Sequence, residues 1–221
     1  MMKGIRGWSI YVIAVVLVIL AAILILVFTG VIEGLEAGVS SLRNPKLTFI
    51  MIGIAQIGST MFLVVLAIML LTFPFTRQRL GYPVAIAGII SAIVNLTLKL
   101  VFQRQRPDEA LRLVSVGGYA FPSGHAQSTT AIFLVILLCT LALVNNKQVK
   151  ACLAVAIISI CFLVGLSRIY LGVHYASDVF VGWMIGISIA YLVSMLWQTK
   201  SKKGQRENLQ PLNHSTKIEI K

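Results

Sequence analysis

The chain has 221 residues, 58% of them hydrophobic and 12% charged, with a mean hydropathy of +0.92. Soluble domains carry roughly a quarter charged residues, so this composition excludes an ordinary water-soluble globule and points to a polytopic membrane protein. The net charge of +12 does not imply a nucleic-acid partner, because most of it sits in short loops between apolar runs and in a tail that can lie against anionic lipid.

In chain order, Lys3 and Arg6 precede an apolar run from Trp8 to about Gly30. It is too long for a signal-peptide core and lacks a small-residue cleavage site, so it predicts a retained first span. Ile32, Leu35, Val39 and Leu42 then share one helical face while Glu33, Glu36, Ser40 and Arg43 share the other, the pattern of a short helix lying in the interface. Further runs, roughly Ile52 to Phe75, Leu80 to Phe102, Gly124 to Asn145, Val149 to Leu171 and Val179 to Trp197, predict five more spans. The expected fold is therefore all-α: a bundle of six transmembrane helices with a short interfacial helix after the first. Residues 1–199 form the membrane domain, and 200–221 a basic polar tail. Cys139, Cys152 and Cys161 lie inside apolar runs and read as packing residues.

The N-terminus, the loops with Arg77 and Arg79 and with Lys147 and Lys150, and the tail hold the larger share of the 19 Lys and Arg residues. Both termini are thus expected in the cytoplasm, with the polar loops after the third and fifth spans outside. Those two loops hold the conspicuous chemistry. His174 and Asp178 stand four residues apart, so a carboxylate can fix the imidazole tautomer and leave the other nitrogen's lone pair free. Lys99, Arg106 and Arg168 offer three positive charges to one anion, and Pro122-Ser123-Gly124-His125 presents backbone N–H groups at a helix start. Separately each has a plain reading: a snorkelling lysine, a flanking arginine, a serine N-cap. Together they describe phosphate chemistry, with His174 as nucleophile and His125 as the acid that protonates the departing oxygen. A metal site built from His125, His174 and Asp178 would face repulsion from three cations and lacks a second carboxylate, since Asp108 and Glu109 read as local charge balance.

Lys99-x6-Arg106-Pro107, Pro122-Ser123-Gly124-His125 and Ser167-Arg168-x5-His174-x3-Asp178 resemble the three-part signature of the type 2 phosphatidic acid phosphatases, membrane lipid phosphate phosphatases related to vanadium haloperoxidases. The resemblance implies a metal-independent, cofactor-free phosphatase acting on a membrane lipid phosphate. In it His174 is the nucleophile, Asp178 its orienting partner and His125 the general acid. Lys99, Arg106, Ser123, Gly124 and Arg168 form the phosphate cradle, and Ser167 belongs to the signature without an assigned part. Within the family the chain is similar to bacterial members that act on phosphatidylglycerophosphate or undecaprenyl pyrophosphate. Specificity is expected from residues at the mouth, such as Arg104, Arg112, Tyr119, Phe121, Tyr170 and Tyr175, the two last also reading as interfacial aromatics. Gly182-x-x-x-Gly186 predicts helix packing within the bundle, and Asn95-Leu96-Thr97, inside a span, matches a glycosylation pattern by coincidence. The competing reading is an anionic-lipid transporter that uses the same cations only to bind; a structural scaffold leaves all three motifs without a purpose.

Overall fold

The computed structural model describes residues 33–209. The first apolar run and the end of the tail lie outside the described residues. Helix α1 (Glu33–Ser41) is followed by α2 (Pro45–Ile57) and α3 (Thr60–Thr72). Asn44 caps α2 by accepting from Leu47 N at 2.9 Å, and Pro45 fits the first turn, where no N–H is needed. Ser59 caps α3 through Phe62 N. The predicted second span is accordingly not one continuous helix: it starts earlier, at Pro45, and breaks at Gly58-Ser59, with a 43° bend between α2 and α3. The break brings Gly58 close to two later helices; a Cβ there would lie 2.5 Å from Val164 Cγ1 and 2.8 Å from Thr129 Oγ1.

Helix α4 (Pro74–Phe102) contains a π-helical turn at Arg77–Gly81 and ends at Gln103, which has φ of 44°. A loop carrying a short 3-10 turn, Glu109–Leu111, leads to α5 (Gly124–Leu141), then α6 (Lys147–Tyr170) and α7 (Ala176–Leu209). Helix α7 runs unbroken through the change of composition at Lys200. Among the described residues four helices are long and apolar enough to cross a membrane, or five if the bent pair α2 and α3 counts as one span.

Helix α5 is the centre of the bundle, packed on α7, α6 and α4. Gly182 and Gly186 make the α5–α7 contact close: a Cβ would lie 2.8 Å from Ser123 O at the first and 2.6 Å from Gln127 O at the second. The expectation that this pattern packs the bundle internally is met. Leu63, Val84, Ile132, Val135 and Ile189 fill the interior, while Phe49, Met61, Ile93, Val155 and Leu196 project outward on surfaces a bilayer would cover. Val39 on α1 packs against the ends of α6 and α7, and Glu36 accepts from Ala176 N at 2.8 Å, capping α7 from outside the helix.

Candidate active site

The site forms where the ends of α4, α6 and the starts of α5 and α7 meet. Tyr175 precedes the first residue of α7, and Asp178, in the first turn, reaches back to accept from Tyr175 N at 2.9 Å, one half of a capping box. This local geometry fixes the carboxylate, which is fully buried and has its Oδ2 3.4 Å from His174 Nδ1. On the other edge of the ring Arg106 Nη1 is 3.2 Å from His174 Nε2. A guanidinium can only donate, so Nε2 is the acceptor and the proton resides on Nδ1, facing Asp178. Burial pulls the His174 pKa down to about 4; Asp178 opposes this and Arg106 and Arg168 reinforce it. The imidazole is neutral at physiological pH, with its lone pair on the side of the cations.

Arg106 is held by the carbonyls of Val173 at 2.8 Å, Gly118 at 2.9 Å and Gly117 at 3.0 Å. Lys99, in the last turn of α4, donates to Tyr119 O. Arg168 is 5% exposed, and its Nε has no hydrogen-bond partner in the protein. Ser123 occupies the N-cap position of α5, yet its hydroxyl makes no capping bond and is also buried without a partner. The plain reading of Ser123 as a helix cap is therefore not realised. A backbone bond from Ser123 N to Asp178 O, 2.9 Å, joins the second motif to the third. All eight expected site residues thus come to one end of the bundle, and Lys99, Arg106, Gly124, His125, Arg168 and His174 line one cavity. Buried donors without acceptors beside a neutral imidazole make a receptor for a tetrahedral anion. Among the described residues no three His, Cys, Asp or Glu side chains come together as a metal site.

The cavity, of about 720 Å³, continues from these polar groups down between α3 and α4, past Leu63, Ala67 and Ile89 to Leu71 and Val84. At 1.5 Å per residue, Val84 lies about 22 Å below Lys99 along the helix. The polar cluster thus opens onto an apolar groove beneath it.

The PAP2 superfamily matches residues 79–202, more than half the sequence and the whole of this site. The chain belongs to the PAP2 superfamily. As a PAP2 protein it is a membrane phosphatase, a hydrolase of phosphoric monoesters, which removes the transporter reading. It is 30% identical over 166 residues to phosphatidylglycerophosphatase B of Bacillus subtilis, covering 73% of this chain and 80% of that one. It is 29% identical to an undecaprenyl-diphosphatase of Sulfolobus acidocaldarius, over 65% of this chain and 67% of that one. The crystal structure of a transmembrane PAP2-type phosphatidylglycerolphosphate phosphatase from Bacillus subtilis superposes with a TM-score of 0.70 at 27% identity, covering 88% of this chain and 96% of that one.

Several residues of this PAP2 site differ from their sequence reading. Tyr170 is 1% exposed and its hydroxyl meets Asn44 N and Thr48 Oγ1, so it is a buried brace of α2 rather than a mouth or interface residue. Phe121 is buried edge-on against Phe102. Arg112 donates to Pro107 O, and Asp108 caps the 3-10 turn through Ala110 N rather than balancing Arg106. Arg104 is bound to Asp178. Asn95, which the sequence offers only as a chance glycosylation match, and Gln127, which no motif includes, form a polar layer under the second motif. Asn95 Nδ2 donates to Pro122 O and Gln127 Oε1, and Gln127 Nε2 donates to Ser91 O. The available signal was two amides inside otherwise apolar runs, which a bilayer tolerates only when they are paired.

Proposed function

We propose that this protein removes the terminal phosphate of a membrane lipid, with phosphatidylglycerophosphate as the preferred substrate, through a phosphohistidine on His174. The observation that carries this reading is the continuity of the anion receptor with an apolar groove between α3 and α4: a lipid keeps its chain in the groove and its phosphate among Lys99, Arg106, Ser123, Gly124 and Arg168. His174 Nε2 attacks phosphorus, and the bond from phosphorus to the lipid oxygen breaks. His125 delivers the proton that oxygen needs. Water, giving a proton back to His125, then attacks phosphorus, releasing inorganic phosphate and regenerating the neutral imidazole. The guanidinium groups and the α5 N-terminus carry the charge that grows on the phosphoryl oxygens, and no divalent ion is required.

The choice of phosphatidylglycerophosphate is supported by the Bacillus relative's name and by overall similarity to the Bacillus structure. The Sulfolobus relative supports a second substrate, undecaprenyl pyrophosphate, whose prenyl chain suits the same groove. The excess of basic residues on the opposite side supports a site on the extracytoplasmic face with both termini inside.

The test is phosphate release by the detergent-solubilised protein in EDTA, across phosphatidylglycerophosphate, phosphatidic acid, undecaprenyl pyrophosphate and a soluble phosphate ester, with His174→Ala as the blank. We expect turnover in EDTA, highest on phosphatidylglycerophosphate and absent in the blank. Activity that vanishes in EDTA and returns with one metal would overturn the metal-free mechanism; equal rates for the blank would remove His174 as nucleophile.

A further inference from the structure

The geometry points to Arg104, at an unspecified position inside the first motif, as a positioning residue that acts through Asp178 and not on the substrate; the inference rests on the reading of Asp178 as the orienting partner of His174. Asp178 is fully buried. Its Oδ2 faces two neutral partners, Tyr175 N at 2.9 Å and His174 Nδ1 at 3.4 Å. The short, charged contact is on the other oxygen, where Arg104 Nη1 donates to Oδ1 at 2.7 Å. A carboxylate withdrawn from water needs a cation or several donors as partners to hold it in place. With Oδ1 tethered by Arg104, Oδ2 is left presented to the imidazole.

Arg104 is itself held in place by contacts on the same side of the imidazole. The same Nη1 donates to Ser177 Oγ at 2.7 Å, and the guanidinium lies over the Tyr175 ring at 4.2 Å. The Arg104 carbonyl accepts from Ala120 N at 2.8 Å, tying it to the strand of loop that leads into Pro122-Ser123. Its neighbour Gln103, at the end of α4, adopts φ of 44°, a left-handed conformation that non-glycine residues rarely take and that is retained where the surrounding structure requires it. That turn reverses the chain leaving α4 and carries Arg104 over the start of α7. Arg104, Tyr175, Ser177 and Asp178 form a bracket outside the imidazole, and the bracket sets how His174 sits.

The experiment measures kcat and KM for phosphate release by the full-length protein on its best lipid phosphate, for the wild type, Arg104→Ala, Arg104→Lys, Asp178→Ala and the Arg104→Ala/Asp178→Ala pair, with His174→Ala as the blank. Arg104→Ala is expected to lower kcat about 10- to 100-fold, as for other partners that orient a functional histidine from outside, with KM within about threefold. Arg104→Lys, or guanidinium added to Arg104→Ala, should restore part of the loss. The double variant should be no slower than Asp178→Ala within about threefold, because both changes remove one interaction. A rise in KM with kcat intact, or losses that multiply in the double variant, would mean that Arg104 meets the substrate and would overturn the proposal. If Arg104→Ala does not fold, the same cycle is run with Arg104→Gln and judged by the same criteria. A blank as active as the wild type would instead remove the reading of His174 on which the inference stands.

Discussion

Arg106 Nη1 stands 3.2 Å from His174 Nε2, so the cation of the anion receptor and the lone pair of the imidazole touch directly. A phosphoryl group carried on Nε2 would interpose its own oxygens between the two and inherit the guanidinium as a partner. Three carbonyls hold Arg106 in that place, and a lysine cannot satisfy them and the phosphate together. Arg106→Lys is expected to lose about 10²- to 10³-fold in kcat/KM, the range for removing one donor to a developing oxyanion. Phosphate-release kinetics check it; a loss under threefold would show that charge alone suffices.

His125 is assigned to the leaving oxygen, and that role depends on how badly the oxygen needs a proton. His125→Ala should cost about 10²- to 10⁴-fold on a lipid phosphate, whose alkoxide is a poor leaving group. On an aryl phosphate with an acidic phenol the cost should fall below about tenfold. Equal losses on both substrates would assign His125 to phosphate binding instead.

Burial lowers the His174 pKa from its ordinary 6.5 to about 4, which gives stability a pH dependence. Above pH 6.5 the ring is neutral in folded and unfolded chains and contributes nothing. Between 6.5 and 4 the unfolded chain takes up a proton that the folded one does not, so stability falls as pH falls, and below 4 the loss levels off. Between pH 7 and pH 5 the wild type should lose about 2 kcal/mol more than His174→Gln. Thermal melts in detergent at the two pH values measure it; equal losses would return His174 to an ordinary pKa.

The α5–α7 seam admits no side chain at Gly186, where a Cβ would meet Gln127 O at 2.6 Å and Thr130 Cβ at 2.7 Å. Gly186→Val should destabilise the protein by about 1 to 3 kcal/mol or more, because backbone must move to make room. It should also cut activity, since α5 carries Gly124 and His125 and α7 carries Asp178. A melting temperature unchanged from wild type would contradict this packing.

The three motifs were legible in the sequence because each sets ionisable or nucleophilic groups between apolar runs, where charge requires a reason. Lys99, Arg106, His125, Arg168, His174 and Asp178 converge as their chemistry suggests. Arg104 was not legible in the same way: an arginine in a loop with several others gives no sign of which carboxylate it will meet, and its partner lies 74 residues further on. The break at Gly58-Ser59 was hidden because the surrounding run is long and uncharged, and hydropathy does not register a close approach to Val164 and Thr129. Tyr170 misled for a related reason, since an aromatic at the end of a span reads as a membrane anchor until its hydroxyl is seen bonded to Asn44 and Thr48.

The groove between α3 and α4 determines what concentration means for this enzyme. A substrate that reaches the site with its chain still among other lipids arrives by diffusion in two dimensions, and water never carries it. Rate should then follow the mole fraction of lipid phosphate in the bilayer or micelle. Adding inert detergent or phospholipid would slow turnover with the total amount of substrate unchanged, and a Michaelis constant quoted per litre would describe the preparation more than the protein.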